Sequence, residues 1–204
     1  MPEVFLASRN AKKLAEMQRI LAEQIPGIVV LGLDDVAHYE EPVEDQPTFE
    51  GNALLKARAA VRETGLPSIA DDSGLCVDAL NQMPGVLSAR WSGLPKSDER
   101  NNELLLAQLA DVPEERRGAH FACAVALCLP GGETHVVHGR MDGRIIREVR
   151  GAGGFGYDVV FVADEHAAEN LTSAELDPVE KDRISHRGKA LRALAPVVAQ
   201  ALTG

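Results

Sequence analysis

The sequence predicts an α/β fold in which helices flank a mixed β-sheet. In the first half of the chain, short apolar runs typical of strands alternate with segments of helical period. In the second half, two strand-like runs flank Pro130-Gly131-Gly132, a pattern typical of a β-hairpin. The sheet is therefore expected to combine parallel and antiparallel pairs of strands.

The individual elements follow from apolar periodicity, turn residues and helix caps. Thr48 is suited to cap the start of a helix whose end is marked by Gly65, and Ser97 is suited to cap the next helix. The expected strands are 4–7, 29–33, 68–70, 120–129, 134–138 and 159–163; the expected helices are 12–24, 48–64, 97–110 and 188–202; residues 34–47 are expected to form a loop.

Length, composition and charge bound the class of protein. A chain of 204 residues with 45% apolar residues is typical of a globular protein, and we expect a single domain over residues 1–204. The formal net charge of −10 argues against a polymeric nucleic acid as partner. No apolar stretch reaches the roughly 18 residues of a membrane span, and the three cysteines form no C-x-x-C pair, so we expect a cytoplasmic protein.

The first segment that can carry chemistry is Ala7-Ser8-Arg9-Asn10-Ala11-Lys12-Lys13, at an expected strand-to-helix junction. The N–H groups and the dipole of a helix start favour phosphate oxygens, and the two lysines add positive charge. An ordinary helix cap followed by solvated lysines explains the same residues. This segment alone leaves both interpretations open.

The second segment is the pair Asp71-Asp72, which directly follows the apolar run from Ser68 to Ala70. Adjacent carboxylates beside a buried strand are costly unless a cation lies near them, and Mg²⁺ binds oxygen ligands of this kind. Because side chains alternate along a strand, the two carboxylates are expected to point in opposite directions, with only one facing a site. A polar turn that ends the strand is the alternative interpretation.

The third segment, residues 151–158, matches the G-x-G-x-x-G pattern of dinucleotide-binding loops. Such a loop is followed by a helix, whereas a strand is expected from Val159 onwards, and this context excludes dinucleotide binding. A glycine-rich turn that carries Phe155 and Asp158 can instead clamp a planar base. An ordinary surface turn is the alternative.

The fourth segment, Glu180 to Ala190, is highly charged and includes Lys181, His186 and Arg187. By itself it is typical of the charged start of a last helix, with Ser185 as its cap. The chain contains no G-x-x-x-x-G-K-[ST] sequence, which excludes a P-loop phosphate site.

Together the four segments resemble the inosine triphosphate pyrophosphatase family, whose members act on non-standard purine nucleoside triphosphates. The resemblance covers almost the entire chain, because six blocks occur in the family's order. The blocks are Ala7-Ser8-Arg9-Asn10-x-x-Lys13, Thr48-Phe49-x-x-Asn52-Ala53-x-x-Lys56-Ala57, Ala70-Asp71-Asp72-Ser73-Gly74-Leu75, Pro84-Gly85-Val86 with Ser88-Ala89-Arg90, Gly153-Gly154-Phe155-Gly156-Tyr157-Asp158, and Ser185-His186-Arg187-Gly188.

The resemblance implies an elongated α/β structure with two lobes around a nucleotide cleft, usually a homodimer. It implies a Mg²⁺-dependent hydrolase that converts ITP, dITP or XTP to the monophosphate and pyrophosphate. Asp72 would bind the metal and accept the proton of the attacking water, and Phe155 would stack on the base. The other residues implied to bind substrate are Ser8, Arg9, Asn10, Ala11, Lys12, Lys13, Lys56 and Ser73, with Gly156, Tyr157, Asp158, Lys181, His186 and Arg187 around the base.

The sequence departs from the family pattern at few positions. Arg9 stands where many relatives have glycine, and Gly51 stands where an acid is common, but neither change removes a proposed catalytic group. The second metal carboxylate is assigned to Glu44, with Glu40 and Glu41 as alternatives. A nucleotide phosphomonoesterase and a nucleotide-binding protein without turnover are the competing functions.

Overall fold

The structure, a computed structural model, describes residues 2–203, except for the side chains of Lys12 and Thr203. The strands are β1 (Glu3–Leu6), β2 (Val29–Leu31), β3 (Ser68–Val77), β4 (Gly118–Cys128), β5 (Thr134–Ile145) and β6 (Phe161–Ala163). The α-helices are α1 (Ala11–Ala22), α2 (Phe49–Thr64), α3 (Asp98–Gln108), α4 (Pro178–Ile184) and α5 (His186–Thr203).

Within the described residues, the six strands form a sheet in the order β2-β1-β3-β4-β5-β6. Strand β1 pairs in parallel with β2 and with β3, whereas β5 and β6 pair in antiparallel fashion. The prediction of an α/β fold with a mixed sheet and flanking helices is therefore confirmed.

The chain divides into two compact units. Unit 1 comprises Met1–Asp72, Cys123–His138 and Lys189–Gly204, and unit 2 comprises Ser73–Ala122 and Gly139–Gly188. The expected site residues divide between them, since Asp72 belongs to unit 1 and Ser73 to unit 2. The single domain over residues 1–204 stays a prediction.

In unit 1, the alternation of side chains along the strands places an apolar cluster on each face of the sheet. Val4 and Ile69 belong to a cluster that contains apolar residues of α1 and α5. Phe5 and Ala70 point to the other face and pack against α2. The side of α2 that packs there is formed by alanines at positions 53, 57 and 60, whose helical spacing keeps them on one face.

Strand β3 is longer than the sequence predicts. It continues through Asp71-Asp72-Ser73-Gly74 as far as Val77, so the interpretation of these residues as a polar turn is wrong. Both carboxylates therefore lie within a strand, with their side chains on opposite faces. Asp71 follows Ile69 on the α1 face, and Asp72 follows Ala70 on the α2 face.

The helix caps confirm two predicted helices. The hydroxyl of Thr48 accepts a hydrogen bond from the N–H of Gly51 at 3.0 Å, and Gly65 ends α2 with a left-handed φ of 70°. At the start of α3, Ser97 accepts a hydrogen bond from the N–H of Arg100. None of the described helices is long and apolar enough to cross a membrane.

Unit 2 contains the largest differences from the predicted elements. The charged segment before α5 forms a helix of its own, α4, which the sequence analysis missed; Asp177 caps its start through the N–H of Val179. The strand expected from Val159 begins only at Phe161, because the N–H of Val160 bonds to the carbonyl of Tyr157 in a turn. Strand β5 extends to Ile145, beyond its expected end.

Candidate functional site

The loop from Ser8 to Ala11 leads into α1 and is held by its own side chains. The hydroxyl of Ser8 accepts a hydrogen bond from the N–H of Asn10 at 3.2 Å, and Asn10 Oδ1 accepts one from the N–H of Lys13 at 3.3 Å. Beside the loop lies a cavity of about 480 Å³ within unit 1. Its lining includes Ser8, Arg9, Asn10, Ala11, Asp34, Asp35, His38 and Tyr39. The side chain of Lys12 lies outside the described residues.

Asp71 forms a buried ion pair with Lys13. The ammonium of Lys13 lies 2.7 and 3.0 Å from the two carboxylate oxygens, and the Asp71 side chain is only 4% exposed. A carboxylate this deeply buried is stable only with a cation or several donors beside it. The pair therefore fixes Lys13, a residue implied to bind phosphate, against strand β3.

Asp72 is positioned by a buried amide that the sequence analysis did not assign to the site. The Nδ2 group of Asn52 donates to Asp72 Oδ2 at 2.9 Å, and Asn52 is fully buried on α2. The Oδ1 atom of Asn52 accepts a hydrogen bond from the N–H of Gln46 at 3.0 Å. Asn52 thus connects Asp72 with the loop that carries Glu44.

Lys56, one helical turn after Asn52, is the centre of the charged cluster in unit 1. Its ammonium donates to Glu44 Oε1 at 2.7 Å and to the backbone carbonyl of Asp71 at 2.6 Å, and its side chain is 14% exposed. Burial alone would lower the pKa of Lys56, but nearby carboxylates outweigh burial and raise it. These carboxylates belong to Asp71, Glu44 and Asp72.

Glu44 and Glu41, two of the acids that the sequence offers as the second metal carboxylate, have different partners. Glu44 forms an ion pair with Lys56 and so belongs to the cluster that contains Asp72. Glu41, by contrast, pairs with the Nε group of Arg9. Of these two acids, Glu44 is the one that shares a cation with the Asp71-Asp72 pair, which favours it over Glu41.

The charged cluster of unit 1 fits the way in which Mg²⁺ binds to phosphate enzymes. Among residues 2–203, no group of three or more His, Cys, Asp or Glu side chains forms a preformed metal cage. Mg²⁺ seldom uses such a cage, because it keeps several waters and binds through one or two carboxylates together with substrate phosphates. Asp72 and Glu44 provide oxygen ligands of the required kind.

In unit 2, the glycine-rich turn presents Phe155 beside two cations. The Phe155 ring is 53% exposed, and Lys181 Nζ and Arg187 Cζ lie 5.2 and 5.8 Å from its centroid. Asp158 Oδ2 accepts hydrogen bonds from Lys181 Nζ at 2.6 Å and from the N–H of Phe155 at 2.8 Å. An exposed ring flanked by fixed cations is suited to a planar, electron-rich ligand.

Gly154 is required by both space and backbone conformation. Its φ of +74° is rare for a residue with a side chain, and a Cβ there would lie 2.2 Å from Asp158 Oδ2 and 2.7 Å from Lys181 Nζ. Part of the glycine pattern therefore serves to bring Lys181 and Asp158 against the backbone. Composition alone does not show this use.

The remaining base-side residues are held by contacts within unit 2. Tyr157 is 3% exposed, its hydroxyl donates to the carbonyl of Ser88 at 2.8 Å, and burial raises its pKa. His186 stacks on Phe121 with ring centroids 5.0 Å apart. Arg187 is 9% exposed and donates to the Ser73 hydroxyl at 3.4 Å.

These placements group the expected residues by chemistry. The side chains with cationic and carboxylate groups, Lys13, Lys56, Asp71, Asp72 and Glu44, gather in unit 1. The aromatic ring with its flanking cations, Phe155, Lys181 and Arg187, gathers in unit 2.

Comparison with known proteins identifies the family. The model of the Ham1 family matches residues 4–197. The chain is 58% identical over 200 residues to a protein of Nocardia farcinica named dITP/XTP pyrophosphatase, with 98% of this chain and 96% of the relative covered. A Mycolicibacterium paratuberculosis protein of the same name is 57% identical over 199 residues, with 97% and 96% covered.

Solved structures agree with the sequence matches. The structure of a nucleoside-triphosphatase, dITP/XTP pyrophosphatase, from Mycobacterium abscessus is similar with a TM-score of 0.80 at 55% identity, covering 95% of this chain and 99% of that one. The structure of a HAM1 protein from Coxiella burnetii gives a TM-score of 0.89 at 40% identity, covering 98% and 100%. These findings confirm the resemblance that the six sequence blocks predict. The chain belongs to the Ham1 family.

Proposed function

We propose that the chain hydrolyses deaminated purine nucleoside triphosphates, among them XTP, dITP and ITP, to the monophosphate and pyrophosphate. The observation that carries the proposal is the cluster in which Lys56 lies among the carboxylates of Glu44, Asp71 and Asp72, in a chain of the Ham1 family. Relatives that are more than half identical to it are named dITP/XTP pyrophosphatases.

The proposed phosphate site lies in unit 1. Lys13 and Lys56 reduce the negative charge of the triphosphate, and the residues from Ser8 to Ala11 bind its oxygens at the start of α1. Asp72 and Glu44 would hold Mg²⁺, which would offset negative charge at the phosphate oxygens. Asp72 also accepts the proton of the water that attacks the α-phosphorus.

The hydrogen bond from Asn52 orients Asp72 for this role. It fixes the carboxylate through one of its oxygens, Oδ2. The same amide holds the loop of Glu44 through Gln46, so one buried side chain fixes both proposed metal carboxylates. We therefore add Asn52 to the proposed site as a positioning residue.

The proposed base site lies in unit 2, where Phe155 stacks on the purine. The Lys181 ammonium has three N–H donors, of which one bonds to Asp158, and a second is available to a carbonyl on the base. His186 and Arg187 reach the edge of the base, Ser73 contacts the substrate, and Gly156, Tyr157 and Asp158 complete the wall. The burial of the Tyr157 side chain restricts its contribution to the backbone.

Selectivity follows from the substituent at the six-position of the purine. Hypoxanthine and xanthine have a carbonyl there, which accepts a hydrogen bond from Lys181. Adenine has an amino group, which would face the lysine and leave a donor unpaired at a cost of about 1–3 kcal/mol. We therefore expect XTP and dITP to be hydrolysed with a kcat/KM about 5- to 150-fold higher than that of ATP.

Pyrophosphate release from XTP, dITP and ATP, measured with the wild type and with Lys181→Met, tests this selectivity. The variant is expected to lose about tenfold or more in kcat/KM for XTP and less for ATP, because the carbonyl of XTP loses its partner, whereas the loss of the Asp158 ion pair affects both substrates alike. Lys96→Met is the matched control, since it removes one exposed positive charge from the same unit. Equal kcat/KM for XTP and ATP in the wild type, or an unchanged ratio in the variant, would contradict the proposal.

The proposal also includes the Mg²⁺ requirement, the homodimer and the cytoplasmic location that the family resemblance implies. The net charge of −10 supports a small nucleotide, rather than a polymeric nucleic acid, as the partner. The ion pairs of Lys13 and Lys56 keep cations at the phosphate site despite this acidity.

A further inference from the structure

The backbone N–H and the backbone carbonyl of Gly156 are both held by one face of helix α3. Asp98 Oδ2 accepts a hydrogen bond from the Gly156 N–H at 2.7 Å. Asn102 Nδ2 donates to the Gly156 carbonyl at 2.8 Å. Asp98 and Asn102 are four residues apart on α3 and therefore lie on the same side of the helix.

The contacts of Asp98 and Asn102 with Gly156, called the clip below, hold a part of the turn that side-chain packing does not fix. Phe155 lies between Gly154 and Gly156, whose φ values are +74° and +62°. Glycine has wide conformational freedom, so a ring between two glycines has many orientations unless other contacts select one. Because the Phe155 ring is 53% exposed, its orientation depends on the hydrogen bonds of the backbone around it: Asp158 holds the Phe155 N–H on one side of the ring, and Asp98 and Asn102 hold Gly156 on the other.

Asn102 is an unfavourable residue for stability alone. It is 4% exposed, and its Nδ2 group also donates to the carbonyl of Asp98 at 2.8 Å. Its Oδ1 atom is buried and has no hydrogen-bond partner among the described residues, which costs about 1–3 kcal/mol. A polar side chain with this cost, at a position next to the apolar core, is explained by what its amide holds in place.

We infer that Asp98 and Asn102 are positioning residues that hold Phe155 in the orientation needed to stack on a purine. The inference rests on the proposed function, in which Phe155 binds the base. It predicts that the two residues control nucleotide affinity through the base and leave the phosphate chemistry of unit 1 unchanged. Sequence reasoning did not identify either residue, since they lie 58 and 54 positions from Gly156.

The test compares Asp98→Ala and Asn102→Ala with Glu99→Ala in the full chain. Glu99 is a matched control because it is the other acid in the first turn of α3, so its loss has a similar effect on the helix dipole. Each clip variant is expected to raise the KM for XTP and the Kd for XMP about tenfold, with kcat within about threefold of wild type. The inhibition constant of inorganic tripolyphosphate, which has no base, is expected to stay unchanged.

A double-mutant cycle with Phe155→Ala separates positioning from general destabilisation. If Asn102 acts through the ring, Asn102→Ala has little further effect on the Kd for XMP once Phe155 is absent. Additive effects in the cycle, or a weaker tripolyphosphate inhibition in the clip variants alone, would overturn the inference. Should Asn102→Ala fail to fold, the exposed Asp98, which accepts the hydrogen bond of the Gly156 N–H, tests the same glycine.

The two proposals fail in different ways. A wild type that releases no pyrophosphate from XTP would overturn the proposed function. The affinity for XMP would still decide the inference, because binding of the monophosphate needs no turnover. A Kd for XMP that is equal in the wild type and in both clip variants would overturn the inference alone.

Discussion

Replacement of Asp72 by asparagine is expected to lower kcat for pyrophosphate release from XTP by about 10²–10⁴-fold, the usual contribution of a proton acceptor. The fold is expected to survive, because the amide oxygen of asparagine can accept the hydrogen bond that Asn52 now donates to Asp72. The lost charge weakens both metal binding and the capture of the water proton. Steady-state kinetics with saturating Mg²⁺ and XTP measure the loss of kcat, and a thermal unfolding curve measures whether the fold survives.

Asp45→Asn is the matched control for this experiment. Asp45 is exposed in the loop that carries Glu44, and it accepts a hydrogen bond from the side chain of Gln46. The control therefore removes one carboxylate charge near the site without touching the cluster around Lys56. A kcat for Asp72→Asn within about threefold of the control would remove Asp72 from the catalytic role.

Replacement of Lys56 by methionine is expected to have the second large effect, this time on stability. The side chain is 14% exposed and compensates carboxylates of Glu44, Asp71 and Asp72. Loss of the cation removes the partner of Glu44, whose side chain is 35% exposed, and the donor to the Asp71 carbonyl, which is expected to cost about 1–3 kcal/mol. Urea unfolding in the presence of a chelator measures this loss in the metal-free protein.

Mg²⁺ is expected to restore part of that loss. A divalent cation bound by the carboxylates replaces the missing positive charge, so Mg²⁺ should raise the unfolding free energy of Lys56→Met by more than that of the wild type. Arg62→Met is the control, because Arg62 is an exposed cation on the same helix and contributes at most about 1 kcal/mol. An equal response of variant and wild type to Mg²⁺ would place the metal away from this cluster.

The parts of the fold that are encoded locally could be predicted from the sequence. The start and end of α2 depend on Thr48 and Gly65, whose conformations and hydrogen bonds involve residues within a few positions. The strand through Asp71 and Asp72 could not be predicted to its end. Its polar residues are stabilised by Lys13 and Asn52, which are 58 and 20 positions away in the sequence.

In the candidate site, too, some residues could be predicted from the sequence and others could not. The motifs identify Lys56, Asp72 and Phe155 by residue type and order. They do not identify Asn52 or Asn102 as positioning residues, because an asparagine within a helix becomes informative only when its burial and its partners are known. Residues that hold other residues in place leave little signal in a single sequence, since their chemistry is that of an ordinary hydrogen bond.

Identification of the products that the wild type forms from XTP at saturating Mg²⁺ tests whether the chain is a nucleoside triphosphate pyrophosphatase. We predict pyrophosphate and XMP in equal amounts, with no orthophosphate, because hydrolysis at the α-phosphorus cleaves the bond between the α- and β-phosphates. Orthophosphate with XDP would contradict it and favour a phosphomonoesterase-like reaction. Recovery of unchanged XTP from a protein that binds it would contradict it as well, and would favour nucleotide binding without turnover.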